Sequence, residues 1–101
     1  MSRYHLTQRA LADLRDIKAY ITKHGTTRAA VRWIQTLRKK CQSVADTPGT
    51  GRPRDDLDPG LRSVAVGSYV IFYREESGRV DIVHILHGAR DIERLFREER
   101  E

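Results

Sequence analysis

Two histidines three residues apart, His84 and His87, are the first side chains in this chain that could do chemistry. Imidazole titrates near neutral pH and can act as an acid, a base or a metal ligand. The residues around them, Val80 to Leu86, are β-branched and apolar, which marks a strand. Side chains three apart on a strand point to opposite faces, so the two rings cannot grip one metal or one phosphate together. Strict alternation puts His84 with Val80, Ile82 and Leu86, and His87 with Val83 and Ile85. The plainer expectation is that one histidine is a hydrogen-bonded core residue and the other ends the strand.

Arg52, Arg54, Arg62, Arg74 and Arg90 form a second candidate set. Guanidinium is a rigid planar fork suited to phosphate or carboxylate. If these side chains converge they make an anion site. If they do not, they are solvated charges, some paired with Asp81 or Glu75. Arg52, Arg54 and Arg74 are the candidates for holding a phosphate or an acidic partner. Asp55, Asp56 and Asp58 cluster as a hard cation would like. They sit among Pro and Gly, however, where Asp builds turns through its own side chain, so no metal site is expected. Gly49-x-Gly51 runs into Arg-Pro rather than a helix start and fails as a nucleotide-binding loop. Tyr69, Phe72 and Tyr73 beside Arg74 resemble a stacking platform for single strands. Aromatic residues on an antiparallel strand are more often cross-strand pairs. The single cysteine, Cys41, excludes an internal disulfide and a cysteine-built zinc site. Nothing implies a cofactor.

Elements must hold these residues, and 101 residues suit one domain, 1–101, with one core. Charged residues make up 33% of the chain, and their signs are unevenly spread. Residues 1–50 hold ten Lys or Arg against three Asp; residues 51–101 hold nine Arg against eleven Asp or Glu. A basic first half expects an acidic partner, either nucleic acid or an acidic protein segment. No apolar run is long enough to span a membrane, and the N-terminus lacks the apolar stretch of a signal peptide. A cytoplasmic location is expected.

Tyr4–Leu6 reads as a short strand. Thr7 can cap a helix whose apolar stripe is Ala10, Leu14, Ile17 and Ile21, widened by Leu11. Gly25 should close it in the left-handed conformation. Thr26 or Thr27 caps a second helix with the stripe Ala30, Ile34, Leu37, Cys41 and Val44. The short link makes residues 7–47 an antiparallel helical hairpin. Tyr20 and Trp33 lie beside these stripes, either as exposed interface anchors or closing the hairpin against each other. Residues 48–60 form a loop rich in Pro, Gly and Asp, and loops of that length are often functional. Strands follow within 61–87, the first two joined at Gly67-Ser68, where Gly suits a two-residue turn. A charged helix over 90–99 turns Ile92 and Leu95 inward. The order β-α-α-β-β-β-α argues an α+β fold, with the hairpin on one face of an antiparallel sheet.

Several stretches, taken in order, carry a resemblance. Ala10 to Ile21 reads Ala-x-x-Asp-Leu-x-x-Ile-x-x-Tyr-Ile. Gly51-Arg52-Pro53-Arg54-Asp55, Leu61-Arg62-Ser63-Val64, Val66 to Arg74 and Val83 to Asp91 follow it. Together they resemble the ParE branch of the RelE/ParE superfamily, the toxins of type II toxin–antitoxin modules that stabilise plasmids. The resemblance spans about residues 3–96. It implies a three- to four-stranded antiparallel sheet packed by a helical hairpin. It also implies a cognate antitoxin with an acidic, partly disordered C-terminal segment, and a hetero-oligomer with it. Tyr20 and Trp33 are the candidate antitoxin contacts.

Relatives similar to ParE poison DNA gyrase; relatives similar to RelE cut mRNA on the ribosome. Cleavage by the 2′-hydroxyl needs a general acid, a general base and cations on the phosphate. The resemblance maps two basic positions of the nucleases onto Arg62 and Arg90. The arginine that they carry in the middle strand falls at Val70, and the C-terminal tyrosine near Phe96. His87 could substitute as acid or base. Two missing polar groups favour a gyrase inhibitor that acts by binding and is not an enzyme. The alternative is a metal-independent ribonuclease using Arg62, His87 and Arg90.

Overall fold

The computed structural model describes residues 3–100. Helix α1 (Gln8–His24) begins where the Thr7 hydroxyl accepts the Ala10 N–H at 3.2 Å. Helix α2 (Thr27–Asp46) is capped by Thr26, which accepts from Ala29 N at 3.0 Å. An oxygen at this position satisfies a first-turn N–H that has no helical partner. Gly25 ends α1, but not in the left-handed form expected of it. Its φ is −141°, and its N–H donates to Ile21 O at 2.8 Å. A Cβ there would come within 3.1 Å of that oxygen, so close approach explains the glycine.

The sheet has five strands in the order β1-β5-β4-β3-β2. They are β1 (Tyr4–Leu6), β2 (Arg52–Pro53), β3 (Arg62–Val66), β4 (Tyr69–Glu76) and β5 (Arg79–His87). Strands β2 to β5 are antiparallel neighbours, while β1 lies parallel to β5. The sheet is therefore mixed, not wholly antiparallel. Parallel neighbours need a long connection, and here the whole of the helical hairpin and three strands intervene. Two tight turns set the meander. Gly67 takes φ +58° between Val66 and Tyr69; Ser77 and Gly78 take φ +50° and +77° between Glu76 and Arg79. Positive φ in two-residue loops matches the twist of the strands that they join.

Strand β5 breaks the expected alternation. Phe72 pairs with His84 and the next residue, Tyr73, pairs with Ile82, so Val83 is an extra residue. Such a bulge inverts the faces on either side of it. Val80, Ile82 and Ile85 consequently share the core under the hairpin with Ile71, Tyr73, Leu14 and Leu37. Leu86 joins Leu57, Leu61, Phe72 and Phe96 in a second core on the opposite face. The grouping of Val80 and Ile82 with His84 is corrected accordingly. Helix α3 (Ile92–Arg100) closes that second core through Ile92, Leu95 and Phe96, and Asp91 accepts the Arg94 N–H at its start.

Residues 48–60, expected as a loop, are held firmly. A 3-10 turn at Pro48–Thr50 leads into β2. The buried Tyr73 hydroxyl donates to Pro48 O at 2.6 Å and accepts from Gly51 N at 2.8 Å. A Cβ at Gly51 would lie 2.3 Å from that hydroxyl, so only glycine fits. Asp55 accepts from Gly60 N at 2.9 Å, the turn role expected of it. Cys41 is wholly buried in the hairpin core, and burial pushes its thiol up to about 12. No helix among the described residues is long and apolar enough to cross a membrane.

Candidate functional site

Thr7 and Asp13 tie α1 to the side of β5 that β1 leaves uncovered. The Thr7 hydroxyl donates to Ile82 O at 2.8 Å, and Asp13 accepts from Ile85 N at 2.9 Å. Beyond them α1 and β5 diverge around an open groove of about 630 Å3. Ile17, Tyr20 and Ile21 of α1 form one wall. Trp33 of α2 and Tyr69 of β4 close one end, and His87 and Arg90 lie on the other wall. Asp13 and Asp16 add carboxylates to the rim.

Each aromatic has a definite seat. Trp33 packs on the Gly67 turn, where a Cβ would come within 2.7 Å of its ring. It meets Tyr69 edge-on at 5.5 Å between centroids, and Tyr69 meets His87 edge-on at 5.6 Å. Tyr20 stacks on His24 at 4.3 Å and is 60% exposed. Tyr20 and Trp33 therefore do not close the hairpin against each other. They stand on two sides of one groove, one ring anchored and the other in solvent.

His87 and Arg90 share this groove. The exposed His87 ring accepts the Ala89 N–H on Nδ1 at 3.1 Å, which leaves Nε2 to carry the proton of the neutral ring. Arg90 is exposed, and its backbone N–H donates to His87 O at 3.1 Å. Arg62 is elsewhere. It pairs with Tyr73 in the sheet, whereas Tyr69 pairs with His87. Four residues of strand, about 13 Å at ~3.3 Å per residue, separate those two ladder positions. Its guanidinium donates to Gly51 O at 2.7 Å and so braces the 48–60 segment. The three residues of the expected nuclease set are thus not brought together. Phe96, at the position mapped to a tyrosine, is buried in the second core.

Two of the remaining arginines are engaged by acids of the 48–60 segment. Arg54 pairs with Asp56 and lies 5.8 Å from the centre of the Phe72 ring. The Arg54 hydrogen bond holds the Asp56 carboxyl below the usual carboxylate range. Arg74 pairs with Asp58, not with Glu75, and Asp81 pairs with Arg79 instead. Arg52 is exposed on β2.

His84 is the hydrogen-bonded core histidine. It is 4% exposed, with Nδ1 at 2.6 Å from Asp13 Oδ2 and Nε2 at 2.8 Å from Glu99 Oε2. Both ring nitrogens face carboxylates, an arrangement that favours the doubly protonated ring, in which both donate. Burial alone would lower its pKa; the hydrogen bonds and charges of Asp13 and Glu99 overcome this and raise it. The cluster joins α1, β5 and α3. One signal for it stands in the sequence: Asp13 follows Ala10 by three residues and precedes Ile17 by four, inside the apolar stripe.

A hairpin over one face of a meander, closed by a C-terminal helix, is a fold found among solved toxin–antitoxin systems. A chain of the chromosomal ParDE system from P. aeruginosa superposes with a TM-score of 0.74. It is 20% identical, over 86% of this chain and 95% of that one. In sequence, residues 4–92 match the family described as the ParE toxin of the type II toxin–antitoxin system parDE. Toxin ParE1 of Caulobacter vibrioides is 38% identical over 88% of this chain and 92% of its own length. Toxin RelE2 of the same organism is 40% identical over 83% of this chain and 92% of its own. The chain belongs to the ParE toxin family of type II toxin–antitoxin systems.

Proposed function

We propose that this toxin inhibits DNA gyrase by binding it, and that a cognate antitoxin neutralises it by laying a segment into the groove between α1 and β5. The observation that carries the reading is the groove itself. It offers Trp33 fixed on the Gly67 turn and Tyr20 60% exposed across from it. Aromatic anchors in a concave apolar site are what a protein segment docks on. An acidic group on that segment would meet Arg90. Arg52 is open to the same acidic tail, whereas Arg54 and Arg74 would reach it only by exchanging Asp56 and Asp58. Arg62 serves the fold in this reading, because its side chain is spent on Gly51 O.

The experiment is gyrase supercoiling of relaxed plasmid, with the toxin added after release from its antitoxin. Inhibition or trapped cleaved DNA, relieved by antitoxin and retained in His87→Ala, is the expected result. Full supercoiling at excess toxin sinks the gyrase reading. For the antitoxin contact, Trp33→Ala should weaken the complex at unchanged fold; equal affinity would remove Trp33 from the interface.

One observation favours a second reading. His87 and Arg90 share the groove wall, and a histidine with an arginine can serve as acid and phosphate clamp in RNA cleavage. That ribonuclease, acting on mRNA at the ribosome, would show cuts on translating ribosomes that vanish in His87→Ala and Arg90→Ala.

A further inference from the structure

The stretch 17–45 holds seven Lys or Arg and no Asp or Glu. Helix α2 buries Ala30, Leu37, Cys41 and Val44 against the sheet. At 100° per residue, Arg28, Arg32, Gln35, Lys39 and Gln42 fall on the opposite side of that helix. Arg28, Arg32 and Lys39 are exposed, and among the described residues none of them has an acid within ion-pair distance. Arg32, Gln35, Thr36, Arg38 and Lys39 also line a shallow hollow of about 510 Å3 that no carboxylate enters.

We propose that this outer face of α2 is a contact for the phosphate backbone of duplex nucleic acid, separate from the groove and independent of what the groove binds. Arg28 and Lys39 stand about 17 Å apart along the axis at ~1.5 Å per residue. Over that length a duplex presents about ten phosphates, one per ~1.7 Å counting both strands. Three cations in line, with the exposed Gln35 amide between Arg32 and Lys39, provide the donors that backbone contacts require. Three of the donor side chains carry full charge, and no base-reading geometry is present, so the contact is sequence-independent and salt-sensitive.

A folded protein or an antitoxin segment is the poorer occupant. Protein interfaces centre on aromatic and apolar anchors and are depleted in lysine. The row from Arg28 to Lys39 carries no exposed aromatic: Tyr4 and Trp33, which border its hollows, are half-buried, and Val31, 41% exposed, lies at its flank. The molecule divides the two roles. Its most exposed aromatic, Tyr20, is in the groove, and the outer face of α2 carries a row of three unpaired cations.

Fluorescence anisotropy on a labelled duplex of about 30 base pairs of arbitrary sequence tests this, with the purified chain titrated across a salt series. The expected log–log slope against salt is about −3, one for each phosphate neutralised. In Arg28→Gln/Arg32→Gln/Lys39→Gln the slope should fall close to zero, and affinity at low salt should drop by about tenfold or more. A charge-matched variant, Arg79→Gln/Arg94→Gln/Arg97→Gln, should keep both. Circular dichroism melting of each variant confirms the fold. Three results would overturn the proposal: no salt-dependent binding, equal loss in both variants, or displacement by polyglutamate as effective as displacement by unlabelled duplex.

Discussion

Two regions of this molecule use charge in opposite ways. In the half built from β2 to α3, four arginines are answered by acids of that half: Arg54 by Asp56, Arg74 by Asp58, Arg79 by Asp81 and Arg94 by Glu98. On the hairpin, Arg15, Lys18, Lys23, Arg28, Arg32, Arg38, Lys39 and Lys40 have no ion-pair partner among the described residues. The overall basic charge of the chain is therefore not spread over its surface. It is concentrated where it does nothing for folding. The difference predicts that charge changes between β2 and α3 are read as stability and those on the hairpin as binding.

The sharpest test of the stabilising region is its buried cluster. His84→Leu leaves the Asp13 and Glu99 carboxylates facing an apolar side chain, with relative side-chain exposures of 11% and 19%. Removing one member of a buried ionic set costs about 3–5 kcal/mol. Glu99 keeps Arg9 at 3.5 Å, which places the expected loss near the lower end, about 3 kcal/mol by urea unfolding. The pH dependence follows with a definite sign. A group whose folded pKa is raised contributes fully below its unfolded value, ordinarily 6.5 for histidine, and loses that contribution as pH rises through the folded value. The wild-type chain should therefore lose stability on going alkaline from that point, and His84→Gln should lose less. A parallel decline in both would assign the effect to other groups.

Next in size is the hydroxyl that holds the 48–60 segment. Tyr73→Phe removes a donor to the half-buried Pro48 O and an acceptor for the buried Gly51 N. Leaving the buried Gly51 N–H unsatisfied should cost about 1–3 kcal/mol, while the half-buried Pro48 O can turn to water. The ring keeps its place in the core, so a loss above that range would mean that the whole segment detaches. Smaller again is Arg74→Gln. Its pair with Asp58 is about a quarter to a third exposed, and such pairs contribute about 0–1 kcal/mol.

Much of the fold was legible because most of it is periodic. Two amphipathic stripes, two capping threonines and turn glycines give the element order without any long-range information. What escaped depends on pairs distant in sequence. The bulge at Val83 exists only relative to β4, so alternation within β5 could not reveal it. The parallel partner of β1 is more than seventy residues away, as Tyr4 pairs with Val80. The groove is of the same kind. Tyr20, Trp33, His87 and Arg90 were each visible as unusual residues, but only the crossing of α1 over β5 assembles them. Arg62 shows the converse. A strand arginine near other arginines invites a catalytic reading, and a carbonyl at Gly51 takes its side chain instead.

The smallest expected stability effect is the one that most separates the two regions. Arg28→Gln, Arg32→Gln and Lys39→Gln together remove three cations from one helix face. Each keeps two methylenes of its stem and remains a good helix former, so propensity changes little. None of the three gives up an ion pair, and like charges at i and i+4, as at 28 and 32, repel by a few tenths of a kcal/mol. The unfolding free energy should thus stay within about 0.5 kcal/mol of wild type or rise slightly. Matching the loss expected from Arg74→Gln would mean that the hairpin cations are structural after all. An unchanged or higher midpoint, alongside lost duplex binding, would show that the charge on α2 is held in reserve for a partner.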